Sequence, residues 1–228
     1  MTKYSFGSRG GSGELSQSIN TEIVKQHTNS ICNFYTFYFQ GGQFGFRGLV
    51  RNNIRFNLLG EGASSNLFSI SLLSHKMHVD NNVEVRHVEP NCDSSQVFKG
   101  LYSGASNGVF DSCIFVQKDA QKSNTVQKNN NILLSNEASI NSNPQLEIFA
   151  DDVECAHGST IGQLDANAIF YLRSRGLSID LAKTLLLSAF MNEVVENVDD
   201  IIVRDMVRDE LRESLGITEL INRETETC

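Results

Sequence analysis

Ile54-Arg-Phe-Asn-Leu58, Phe68-Ser-Ile-Ser-Leu72 and Val83-Glu-Val-Arg-His87 place polar side chains between residues at every second position that are, His87 apart, apolar. Successive side chains of an extended chain point to opposite faces, so each set describes a strand with one face buried. The same period predicts strands over 96–102, 109–116, 131–134 and 145–157, the last broken near Ala150. Gly, Asn or Asp interrupt the pattern, and strand starts recur roughly every thirteen to fifteen residues. No helix-length amphipathic segment intervenes between residues 41 and 160. Two architectures fit an all-β array of this kind, a sandwich and a solenoid. Only 2 Pro, and Asn-rich runs such as Asn124-Thr-Val-Gln-Lys-Asn-Asn-Asn131, favour the solenoid, because stacked Asn side chains can bond from coil to coil.

Upstream, Gly7-Ser-Arg-Gly-Gly-Ser-Gly13 reads as a linker, since no Gly-Lys-Ser/Thr follows to make it a phosphate loop. The run Phe34-Tyr-Thr-Phe-Tyr-Phe39 suits a strand, and its lack of alternation implies burial on both faces. Downstream of Thr160 the period becomes helical. Asp165 caps a helix over 166–175 that Gly176 stops, and Ser178 caps a second with Leu181, Leu185 and Ala189 in its stripe, widened by Leu186, Phe190 and Val194. Asp199-Asp200 opens a third, with Ile202, Met206, Leu211 and Leu215 on one face, ending at Gly216. The last twelve residues read as frayed. Three short helices cannot bury these stripes on one another, so an apolar face should meet the β domain or a partner. The chain thus divides into residues 1–40, a β core over 41–160 and a helical domain over 161–228.

A net charge of −8 and a pI near 5.1 argue against a nucleic-acid binder, which needs a basic face. Neither a signal peptide nor a membrane-spanning apolar run is present, which predicts a cytoplasmic chain. Five scattered cysteines without a CxxC pair suggest reduced thiols rather than a disulfide framework or zinc finger.

Val153-Glu-Cys-Ala-His157 carries the most suggestive chemistry. At i and i+2 of a strand, Cys155 and His157 share a face, and a thiolate beside an imidazole suits a soft transition metal such as iron or zinc. Two ligands do not close a tetrahedral site, and a buried Cys beside a satisfied His is the bland alternative. His75, His78, His87 and Cys92 form a second set for which a structural role is the better reading, with a turn at Pro90. Cys155 as a nucleophile activated by an imidazole ranks below metal binding, because no orienting third residue can be picked out. Asp151, Asp152 and Glu154 are adequately explained as a solvated strand end.

Gly60-Glu-Gly-Ala63, His78-Val-Asp-Asn81, Lys99-Gly100 and Asp119-Ala-Gln-Lys-Ser-Asn124 lead, in order, to Pro144-Gln-Leu-Glu-Ile-Phe-Ala-Asp-Asp-Val-Glu-Cys-Ala-His-Gly158 and Gly162-Gln-Leu-Asp-Ala-Asn-Ala-Ile-Phe-Tyr-Leu-Arg-Ser-Arg-Gly176. Together these blocks resemble the SufD family of iron–sulfur cluster assembly proteins, from about residue 41 to about residue 198. The resemblance implies a right-handed parallel β-helix followed by a helical domain. It also implies a non-catalytic scaffold subunit that pairs with a SufB-like paralogue and docks a SufC-like ATPase through its C-terminal helices, with a homodimer through the same β-helix end when isolated. His157 matches the family histidine associated with cluster assembly or iron binding, and Cys155 a nearby family cysteine, so iron or a transient Fe–S cluster would be shared with the partner. SufB-like chains have a cysteine in place of Lys128 and a glutamate in place of Gly158, which favours the SufD side. An interaction-only subunit that docks SufC without supporting assembly is the alternative. Residues 1–40 match poorly, family chains are longer, and Asn82, Arg86 and Asn91 replace more usual residues. The first coil is therefore expected to expose strand edges unless residues 34–39 or a partner cap it.

Overall fold

A computed structural model describes residues 1–7, 16–39 and 48–217, and within them the chain alternates between two sheets, strand by strand. β1 (Thr2–Phe6), β3 (Ile31–Phe39), β5 (Ser64–Leu73), β7 (Asp93–Tyr102), β9 (Asn124–Leu133) and β11 (Glu154–Gly162) form a six-stranded sheet A in that order. β2 (Ser16–Gln26), β4 (Gly48–Leu58), β6 (His78–His87), β8 (Asn107–Val116) and β10 (Ser139–Ile148) form a five-stranded sheet B. Every pairing is parallel, which selects the solenoid over a sandwich of antiparallel sheets. Residues stacked in neighbouring coils lie 29 to 33 apart in the chain, as in Asn52 on Asn81 and Asn33 on Asn66.

Each sequence segment read as a strand falls on one, although the strands begin several residues earlier where small or polar residues occupy the inner face. The coils also begin before residue 40: β1 and β3 join sheet A, and β2 joins sheet B. The aromatic run is β3, an interior strand between β1 and β5 rather than a cap. It is buried on both faces, as its composition implied. Phe34 meets Phe56 edge-on inside the solenoid, while Tyr35, Phe37 and Phe39 point out beneath the helices. Most of the glycine-rich lead-in, the residue-41 boundary and the frayed end with Cys228 lie outside the described residues.

Four of the five corners running from sheet B to sheet A use one left-handed residue, Asn29, Gly62, Asn91 and Lys122, with φ of 54°, 71°, 58° and 57°. These residues stack along the axis through backbone bonds, Asn29 N to Glu61 O, Gly62 N to Pro90 O, Asn91 N to Gln121 O and Lys122 N to Asp152 O. Asn side chains do bond from coil to coil, chiefly through Asn20, Asn52 and Asn81 on the inner face of sheet B, at 3.0 and 2.7 Å.

Helices α1 (Ala166–Ser174), α2 (Ile179–Val195) and α3 (Ile201–Ser214) open on the side-chain caps Asp165, Ser178 and Asp200. The apolar face left over by the helices meets the β domain: Leu187, Met191, Val194, Val195, Val207 and Leu211 pack on the outer side of sheet A. Burying each such side chain contributes about 1.5–3 kcal/mol. The buried stripes are rotated from the expected ones, leaving Leu185, Ile202 and Met206 exposed. Which of two apolar faces turns to the sheet is a choice that periodicity alone does not fix. Lys99 of β7, itself buried, ties α2 down through Glu193 and the Phe190 carbonyl, 2.5 and 2.7 Å away. No helix among the described residues is long and apolar enough to cross a membrane.

Candidate functional site

The interior of the solenoid changes character along its axis. Coils built from β3 to β8 are filled by Phe34, Phe56, Leu67, Phe98 and Phe110. In β9 the buried inner positions are instead Thr125, Gln127, Asn129 and Asn131. β11 is the last strand of sheet A and β10 the last of sheet B, so the polar interior opens at this end.

Cys155 and His157 sit in β11 on that inner face. Cys155 is half-buried against the apolar core, and its register partner is Thr125; His157 is exposed and pairs in register with Gln127. Ser159, next on the same face, meets Ser142 of β10 at 2.7 Å. The structure therefore brings the two sequence-selected residues together, with the imidazole at the open end. Burial pushes the Cys155 thiol up, the opposite of what an activated nucleophile requires, so the thiol-enzyme alternative loses its support. Among the described residues no three or more His, Cys, Asp or Glu side chains gather to hold a metal ion. Cys155 and His157 are a borderline-to-soft donor pair, two ligands short of a closed tetrahedral site.

Two hydrogen-bonded columns rise beneath the pair. Buried His87 Nε2 meets Ser94 Oγ at 2.8 Å, and Ser94 meets Thr125 Oγ1 at 2.7 Å, directly below Cys155. Burial lowers the His87 imidazole to about 4, against a weaker upward pull from Asp93. Below His157, Gln127 Nε2 donates to Ser112 Oγ at 2.6 Å and to Gln96 Oε1 at 3.2 Å. Sequence reading missed Gln127, Gln96 and Ser94. The signal for the glutamines was Gln96 and Gln127 at the buried register position where β3 and β5 carry Phe34 and Leu67, whereas Ser94 only continues Ser65.

The other histidine–cysteine set does not converge. His75 bonds Ser74 in a turn, His78 faces out of sheet B, His87 is in the core, and Cys92 Sγ caps the Gly60 carbonyl at 3.4 Å. Asp151 and Asp152 are exposed in the turn before β11, with the Asp152 amide held by Gln121 at 2.9 Å. Lys128 and Gly158 are register partners on the outer face, on the opposite side of their strands from Cys155 and His157.

A family model described as the SufBD core domain of SUF-system FeS cluster assembly matches residues 12–190. The match takes in β2 and β3, so it begins well before residue 41, and it ends within α2. The iron–sulfur cluster assembly protein SufD of Escherichia coli is 35% identical over 152 residues, 67% of this chain and 36% of that protein. A SufBD family protein of Synechocystis is 34% identical over 150 residues, covering 66% and 33%. SufD of Plasmodium falciparum is 30% identical over 190 residues, covering 82% and 13%. The chain thus spans at most about a third of the length of these curated relatives.

Proposed function

The chain belongs to the SufBD core family of the SUF iron–sulfur cluster assembly system, and we propose that it acts there as a non-catalytic scaffold subunit of the SufD kind. The observation that carries this reading is the exposed His157 on the inner face of the terminal strand, at the open end of the solenoid. A histidine sealed in the core would have favoured an interaction-only subunit.

In this reading the unpaired edges of β10 and β11 receive the matching end of a SufB-like paralogue, and His157 offers a neutral imidazole nitrogen to the iron being assembled. Imidazole is a borderline ligand that permits later release of the cargo. Cys155, less accessible, is a secondary donor. The remaining ligands and the sulfur come from the partner, consistent with Lys128 and Gly158 standing where SufB-like chains carry Cys and Glu. A homodimer through the same edges forms when the paralogue is absent. The exposed Phe170 and Tyr171 of α1, with Ile201 and Ile202 of α3, supply an apolar surface for a SufC-like ATPase, which performs the nucleotide hydrolysis.

The test is anaerobic coexpression with SufB-like and SufC-like partners, followed by iron and sulfide analysis of the purified complex with and without His157→Ala. The expected result is a complex whose iron is lost in the variant. A complex whose iron is indifferent to His157 would reduce the chain to a docking subunit, and failure to form a complex would remove the scaffold reading.

A further inference from the structure

Gln127 is fully buried on the inner face of β9, and the residue paired with it in β11 is His157. Neighbouring parallel strands lie about 4.8 Å apart and their paired side chains leave from the same face, so the exposed imidazole has only to turn about its own side-chain bonds to approach the Gln127 amide. That amide is oriented from below, where Ser112 Oγ and Gln96 Oε1 both accept from Nε2. The carbonyl end, Oε1, is buried without a hydrogen-bond partner. Of its β11 neighbours on this face, Ser159 is engaged with Ser142 and Cys155 stands over Thr125. His157 is the remaining strong donor in β11, while the other unpartnered donor of the network, Gln96 Nε2, belongs to the coil below.

We infer that Gln127 is a positioning residue for His157: its Oε1 accepts the proton of one ring nitrogen, fixing the tautomer and presenting the other nitrogen's lone pair at the open end. Metal-binding histidines are commonly held in this way through the nitrogen that does not ligate, and removing such a partner weakens metal affinity about 10- to 100-fold. The consequence for iron rests on the proposed ligand role of His157; the hydrogen bond itself does not.

Ring nitrogen-15 spectra of the full-length, metal-free chain with labelled histidine, at alkaline pH, test the hydrogen bond directly. The expected result is one dominant His157 tautomer with a slowly exchanging ring N–H in the wild type. Both tautomers should be populated in Gln127→Leu, with no change in Ser112→Ala, which disturbs the network but spares Oε1. A wild-type His157 ring that already samples both tautomers, or one unaffected by Gln127→Leu, overturns the inference, and the wild-type measurement stands even if the variant does not fold. Titration with Co(II), used as the metal probe, separates the two claims. A loss in His157→Ala with roughly 10-fold or greater weakening in Gln127→Leu supports both. Indifference to His157→Ala alongside the tautomer shift removes the ligand role and leaves the positioning intact.

Discussion

Lys99 Nζ on the outer face of β7 lies 2.5 Å from Glu193 Oε2 of α2, and the lysine is the buried member of the pair, with its side chain 6% exposed against 45% for the glutamate. The same ammonium donates to the Phe190 carbonyl and sits 4.4 Å from the centre of the Phe190 ring. One cation therefore satisfies three groups of one helix. Lys99→Met is expected to destabilise the protein by about 2 kcal/mol, less than for a fully buried pair because Glu193 can turn to water. Hydrogen exchange should localise the loss to α2. Unchanged α2 protection would show that the apolar contacts alone hold the helix down.

His87 sets an acid limit on stability. Its imidazole titrates near 6.5 in the unfolded chain and near 4 in the folded one, so between those values the unfolded state binds more protons. Stability is complete above about 6.5 and falls as pH drops toward 4, by about 3 kcal/mol in all. His87→Gln keeps a partner for Ser94 and removes the titration, so urea midpoints should vary less across that interval. An identical slope in the variant would assign the acid sensitivity to other groups.

Tyr102 fills space that two glycines leave vacant. A Cβ on Gly108 would stand 2.5 Å from its hydroxyl oxygen, and one on Gly100 would fall inside the ring edge. Gly100→Ala should therefore cost about 1–3 kcal/mol through overpacking. Combined with Tyr102→Leu, the loss in chemical denaturation should be smaller than the sum of the two single losses. Strict additivity would mean the ring has room to move aside.

His157→Ala removes an exposed side chain from an edge strand at the open end, where water can replace its bond to Gln127, and its thermal unfolding should match the wild type to within about 1 kcal/mol. Any loss of metal then belongs to the site. A large drop in melting temperature would instead make His157 structural.

The fold was legible because sheet B alternates: its inner residues are mostly apolar and its outer ones carry ladders such as Arg55 on Glu84, 2.8 Å apart. Sheet A hid its first strands because both of its faces are covered. β3 reads as an unpatterned aromatic run when its inner face meets Phe56 and its outer face lies under α3, in one cluster with Val207 and Leu211. The same two-sided burial decided which helix faces turned inward, which is why Met206 and Ile202 read as core and emerged exposed. Cys155 and His157 were found because i and i+2 on a strand is a local relation. Gln127 was not, since its partnership with His157 spans a whole coil and depends on register, which one sequence does not reveal.

The shift from an aromatic interior near β3 to a polar one near β11 sets the order in which the molecule can come apart. In a solenoid each coil leans only on its neighbours, so opening free energies follow the local filling. β10, whose inner residues Ile140, Ser142, Pro144 and Leu146 are only half-buried, and β11 should fray first and reseal first. The candidate ligands thus ride on the most yielding turn of the spring, able to adjust to an incoming surface while the aromatic coils and their helices keep their shape.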